Sequence, residues 1–211
     1  MKLSLNLLPY QRSKLFLHAT SVRDIMFVFL TALEYIQYWR GNPKALKRPY
    51  LLLDLEDTRR VFLVDKDKII SFGFRLNVKT QLSDITDPTN FVSGIHLRKY
   101  SITAREISEA KQILNSCSDK DYLYCYSALE EDTVISESTL YLFEHLLFSE
   151  WGYLRYDHDP SHAVEGFHPS EHLDVCFSHD ISYKLGLKKV IEVSGMIDLI
   201  NQKTRCAELN F

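Results

Sequence analysis

The sequence predicts an α+β fold: a single antiparallel or mixed sheet with packed helices. Three observations predict it. Strand-like and helix-like segments are mixed without a βαβα rhythm. A run of short strands joined by tight polar turns occupies residues 50–78. Composition is ordinary for a globular chain of 211 residues, with 45% hydrophobic and 25% charged residues. That length suits one domain. It is read in three parts: an N-terminal helical part (1–45), a meander plus helix (46–130), and a helix, a His/Asp-rich hairpin and a C-terminal helix (131–211).

The first strong helix begins at Ser21, where Ser21 and Asp24 form an N-cap pair. Gly41 and Pro43 stop it. Its apolar residues, Ile25 to Leu30, run nearly all round, which marks a buried helix. Three strands follow: Tyr50–Leu55, Arg60–Val64 and Lys68–Val78. In the third, Phe72, Phe74 and Leu76 alternate with polar or small neighbours. Residues 81–99, with Asp87-Pro88, read as a loop. Thr103 and Glu106 make a capping box for a second helix whose stripe is Ile107, Ala110, Leu114 and Cys117. Tyr122–Leu129 reads as a strand. A third helix is expected from Ser136 to Glu150, with Leu140, Phe143, Leu147 and Trp151 on one face. Strands at Tyr153–Asp157 and His172–Phe177 flank a long loop. A short strand near Val190–Val193 and a helix near Ser194–Lys203 complete the chain.

Several function classes are excluded. There is no Gly-rich phosphate loop, no GxSxG elbow and no dinucleotide fingerprint, which removes ATP hydrolysis, serine hydrolysis and nicotinamide chemistry. Cys117, Cys125, Cys176 and Cys206 form no CxxC pair, so they read as reduced cysteines of a cytoplasmic protein. The start carries no signal-peptide run. The most apolar window, Ile25 to Leu33, has about half the length needed to cross a bilayer, so no membrane partner is expected.

Charge is uneven along a chain of net charge −3. Residues 1–50 hold eight Lys/Arg against two acids, and Arg40, Lys44, Lys47 and Arg48 cluster there. That cluster reads either as a contact for nucleic acid or a partner, or as a solvated loop. Residues 152–180 hold one Arg against six acids.

The chemistry-bearing stretch is Tyr153 to Val175. Five of the eight histidines (158, 162, 168, 172 and 179) fall within 22 residues, where uniform scatter would put about one. Strand alternation puts Arg155 and Asp157 on one face, and His172 and Asp174 on one face. If the two strands pair, these four groups project together from the side opposite the apolar residues. The connecting loop brings His158, His162 and His168 toward the same mouth. Imidazoles and carboxylates in this density are ligands for a divalent metal, with His158, His168, His172 and Asp174 as the candidate set. A metal beside phosphate is the chemistry of a nuclease or phosphoesterase, with Arg155, Asp157, His168 and His172 as its catalytic candidates. A metal-free His pair acting as general base and acid on RNA is a second reading. A hydrogen-bonded structural network, or a partner-binding surface, is a third. No HExxH, HxHxDH or DxD signature decides among them.

Arg155-Tyr-Asp-His-Asp-Pro, followed by Gly166-Phe-His-Pro-Ser-Glu-His-Leu-Asp-Val, resembles an uncharacterised bacterial family with an R-hydrophobic-D … HP-x-x-HL core. Some of its members sit beside a helicase in two-gene anti-phage defence systems. The resemblance implies a defence role and a helicase partner encoded nearby, with nucleic acid reached through the complex. It implies no chemistry. The stretch is also similar to TumE-type toxins, which carry RYD-x-x-P-H and a tight His cluster. Arg155, Tyr156, Asp157, Pro160 and His168 with His172 occupy comparable places. This second resemblance implies an RNase toxin as the alternative to a helicase-associated hydrolase or a non-enzymatic helicase subunit.

Overall fold

The structure is a computed structural model that describes residues 1–17, 19, 21–82, 90–116, 135–176 and 182–204. The α+β class is what it shows. The chain divides into two compact units, each discontinuous in sequence. Met1–Leu8, Pro43–Phe74 and Trp151–Phe211 make the first; Pro9–Asn42 and Arg75–Glu150 make the second.

The first unit is built on a seven-stranded antiparallel sheet. Its strands are β1 (Lys2–Asn6), β2 (Tyr50–Asp54), β3 (Arg60–Val64), β4 (Lys68–Gly73), β8 (Tyr153–His158), β9 (Glu171–Cys176) and β10 (Ser182–Gly186), in the spatial order β1-β2-β3-β4-β8-β9-β10. The remaining numbers, β5 (Asn77–Leu82), β6 (Asn90–Leu97) and β7 (Tyr100–Ile102), belong to a three-stranded sheet in the second unit.

Register sets what each face of the large sheet carries. Leu53 opposes Val61, Val61 opposes Phe72, Leu63 opposes Ile70, and Ile70 opposes Arg155. This face is apolar as far as Ile70 and Phe72 on β4, with Leu53, Val61, Leu63, Ile70 and Phe72 fully buried, and Lys68 stands at the start of that strand. It becomes charged at β8. The other face carries Tyr50, Phe62, Val64, Ile69, Tyr156 and Leu173. The C-terminal helix α5 (Val193–Ile200) packs Met196, Ile197 and Ile200 onto it. Because both faces of β3 and β4 are covered, Ser71 is fully buried and its hydroxyl accepts from Arg60 Nε at 2.8 Å. Arg60 also donates to the Gly152 carbonyl.

In the second unit, α1 (Pro9–Leu15) precedes α2 (Val22–Gln37), α3 (Ala104–Ser116) and α4 (Glu137–Leu147). The Ser21/Asp24 capping box is present in full. The Thr103 amide donates to Glu106 at 2.8 Å, and Ile107, Ala110 and Leu114 are buried as their stripe requires.

The structure corrects several expectations. The run Lys68–Val78 is two strands in two different sheets, broken across residues 74–76. The loop expected over 81–99 contains β6, because Phe91, Val92, Ile95 and Leu97 have strand-forming side chains that outweigh the turn signal of Asp87-Pro88. The N-terminus contributes an edge strand, β1, where only helix was expected. The buried face of α4 is Thr139, Leu142, Phe143 and Leu146, rotated from the expected stripe. The last strand is Ser182–Gly186, and residues 190–192 form no element. The strand expected at Tyr122–Leu129, and His18, Cys117, Cys125, His179 and Cys206, lie outside the described residues. Among the described residues no helix is long and apolar enough to cross a membrane.

Met196 is the fully buried contact of α5 with the sheet. Met196→Ala is expected to lower unfolding free energy by about 2–4 kcal/mol, read from urea midpoints at unchanged slope. A loss below about 0.5 kcal/mol, the range of surface substitutions, would mean that α5 does not close that face.

Candidate functional site

β8 and β9 pair antiparallel, the condition on which a shared polar face depends. Arg155 stands opposite Asp174, and Asp157 opposite His172. All four side chains therefore share one face. The flanking strands add two lysines to it: Lys68 on β4 opposes Asp157, and Lys184 on β10 opposes Asp174.

The face is less open than expected. Arg155, Asp157 and Asp174 are buried, and His172 is only 1% exposed. Buried carboxylates need cations and hydrogen bonds. Arg155 supplies both at once. Its Nε donates to Asp157 Oδ2 at 2.6 Å, and its Nη2 donates to Asp174 Oδ2. Burial alone would push the guanidinium down, but the two aspartates outweigh it and hold Arg155 above its ordinary range. Lys68 Nζ lies 3.4 Å from Asp157 Oδ1, and Lys184 Nζ lies 3.3 Å from Asp174 Oδ1. Three cations thus face two carboxylates.

The imidazole of His172 is fixed by its loop. Its Nδ1 donates to the Pro169 carbonyl at 2.9 Å. That places the lone pair on Nε2, which accepts from Lys184 Nζ at 3.2 Å and lies 3.6 Å from Asp157 Oδ2. Gly186, opposite His172 on β10, makes the loop geometry possible. A Cβ at that position would come within 2.8 Å of Pro169 Cγ. The absent side chain lets Pro169 settle where its carbonyl reaches His172.

Asp157, His172 and Asp174 offer ligand atoms that all lie within 4.8 Å of one another, and this group could hold a metal ion. The donor set is chemically suitable, since a ligating imidazole usually donates its second nitrogen to a carbonyl, as His172 does.

The other sequence candidates fall elsewhere. His158 points to the opposite face of the sheet with Tyr156. There its Nδ1 and the Tyr156 hydroxyl both meet the buried Glu171 carboxylate. Burial and that hydrogen bond raise Tyr156 well above its ordinary range. His168 is beside His172, with ring centroids 4.6 Å apart and edge to face. Its Nε2 lies 3.6 Å from Asp159 Oδ2 and makes no hydrogen bond. The hairpin tip turns at Gly166, whose φ of +77° an L side chain would strain, and presents Phe167 at 86% exposure. Arg40 belongs to the second unit, where its guanidinium lies over the Phe91 ring. Lys44, Lys47 and Arg48 belong to the first, where Arg48 pairs with Glu192. All four are exposed.

Sequence reasoning missed Lys68, Lys184 and Glu171. The signal for Lys184 was present in Tyr183-Lys-Leu185, a period-2 pattern with one lysine on the polar side.

No known family, curated protein or solved structure matches the chain.

Asp159 at the hairpin base gives a pH test. Hydrogen bonds from His162, at 2.8 Å, and then Ser161 hold its carboxyl at about 2. A depressed carboxylate stabilises the fold above its unfolded value, about 3.9, and that contribution is lost as pH falls through about 2. Carbon-detected NMR titration is expected to find Asp159 near 2, and His162→Ala to return it toward about 3.9. An Asp159 that titrates normally in the wild type would contradict the hairpin geometry.

Proposed function

We propose that this chain is a cytoplasmic, phosphodiester-cleaving protein that depends on a divalent cation and acts with a helicase in bacterial anti-phage defence. One observation carries the hydrolytic part: two carboxylates and an imidazole with its lone pair presented converge on adjacent strands, rimmed by two lysines. A bound cation would supply Lewis acidity and a water of lowered pKa. The chain's own residues then have distinct tasks. Asp157, His172 and Asp174 hold the cation. Arg155, buried and bonded to both carboxylates through Nε and Nη2, orients them as a positioning residue. Pro169 O keeps His172 in the ligating tautomer. Lys68 and Lys184, with side chains 32% and 40% exposed, stand where an incoming phosphate would meet positive charge. His168 walls one edge of His172. Arg40, Lys44, Lys47 and Arg48 are exposed cations available to nucleic acid or to the partner.

The helicase and the defence role rest on the resemblance of Arg155 to Val175. A net charge of −3 and the absence of a phosphate loop agree with a chain that relies on another subunit to deliver substrate.

A second reading has its own observation. Three cations already offset two carboxylates whose side chains are 11% exposed, so the cluster can be a self-sufficient ionic knot in a non-enzymatic helicase subunit.

Titration calorimetry with Mn²⁺ separates the two. The metal reading expects one Mn²⁺ per chain, lost in Asp157→Asn and in His172→Ala variants whose thermal melts remain cooperative. No binding to the folded wild type selects the knot. Co-expression with the neighbouring helicase is expected to give a complex that survives size-exclusion chromatography, while the isolated chain cleaves nucleic acid poorly. Efficient cleavage by the isolated chain, with no stable complex, would support the toxin alternative instead.

A further inference from the structure

We propose that Lys184 is a resident cation that holds the metal's place, so that metal entry requires its ammonium to leave. The inference rests on reading Asp157, His172 and Asp174 as a divalent-cation site and names how that site is regulated. Of the three cations in the cluster, Lys184 touches both kinds of donor. Its Nζ is 3.2 Å from His172 Nε2 and 3.3 Å from Asp174 Oδ1. A single imidazole lone pair cannot serve an ammonium proton and a metal together. Occupancy by Lys184 and by a cation is therefore mutually exclusive at His172.

The other two cations are not placed for this. Among the described residues Lys68 pairs with Asp157, on the far side of the group. Arg155 lies beneath, 10% exposed, with hydrogen bonds to both aspartates. Lys184 has the means to withdraw. It stands on β10, the last strand of the sheet, and its side chain is 40% exposed on a flexible four-carbon stem. Its neighbours Tyr183 and Leu185 point to the other face, so its departure disturbs no packed residue on its own strand. While Lys184 is in place, His172 and Asp174 keep a partner and the buried carboxylates stay offset without metal. The site is thus stable when empty and resists adventitious cations. Metal affinity is set partly by how easily this one ammonium leaves.

Lys184→Met keeps the stem and removes the charge. Titration calorimetry with Mn²⁺ is expected to show affinity for the folded variant at least about tenfold above wild type. Tenfold corresponds to about 1.4 kcal/mol, the least that moving the ammonium off His172 and Asp174 costs the wild type. Lys184→Arg, which retains the charge, is expected to stay at or below the wild-type affinity. If Lys184→Met binds Mn²⁺ no more tightly than wild type, the place-holding role is wrong while the metal site stands. If neither protein binds Mn²⁺, the metal reading fails and takes this inference with it.

Discussion

Two buried aspartates on neighbouring strands carry a heavy desolvation cost unless something positive lies between them. Arg155 is that group, and much of the site's arrangement follows from it. The planar guanidinium presents donors in two directions, so one side chain can serve Asp157 two residues along its own strand and Asp174 across the ladder. With one oxygen of each carboxylate held by Arg155, the other meets a lysine, Asp157 Oδ1 facing Lys68 and Asp174 Oδ1 facing Lys184. A lysine in place of Arg155 would offer one compact charge and no fork. The apolar half of the same face, Leu53 through Ile70, stops where this arginine begins.

Much of this was legible in the sequence because strands alternate. The period of two in Leu154-Arg-Tyr-Asp and in His172-Leu-Asp-Val is enough to put four polar groups on one face and the apolar set on the other. The same parity separates His158 from Asp157, so grouping His158 with the metal candidates went against a signal already present. Burial was not legible. A face rich in Arg, Asp and His reads as solvated, and only the structure shows these groups buried, with Lys68 and Lys184 brought alongside by β4 and β10. Lys68 lies far upstream of the histidine-rich stretch, and Lys184 lies just beyond its end at His179. Lysine is so common on surfaces that neither stands out without the register.

The fold was legible at its local level and less so at its joins. Capping chemistry at Ser21 and Thr103 marks helix starts because the first amide groups need acceptors nearby. The break at residues 74–76 has no such marker. Phe74 and Leu76 continue the alternation and are fully buried, yet the chain leaves one sheet and enters another between them. Periodicity describes which side a residue faces. It does not say which sheet it belongs to.

The interrupted course of the chain bears on the order in which the protein assembles. β4 ends at Gly73 and its ladder partner β8 begins at Tyr153, and the intervening residues 75–150 belong to the other unit. Pairing Lys68 with Asp157 therefore closes a long excursion before any contact in the site rewards it. Loop entropy grows slowly, by about 0.6 kcal/mol for each doubling of length, but rates respond strongly to such distant pairings. Residues 153–186 can form their own local β8-β9-β10 meander as soon as they are made. Arg155, Asp157, His172 and Asp174 then meet early, while Lys68 arrives only when the excursion closes. On a ribosome the acidic pair would wait to be joined by an outer cation from a segment synthesised some ninety residues earlier.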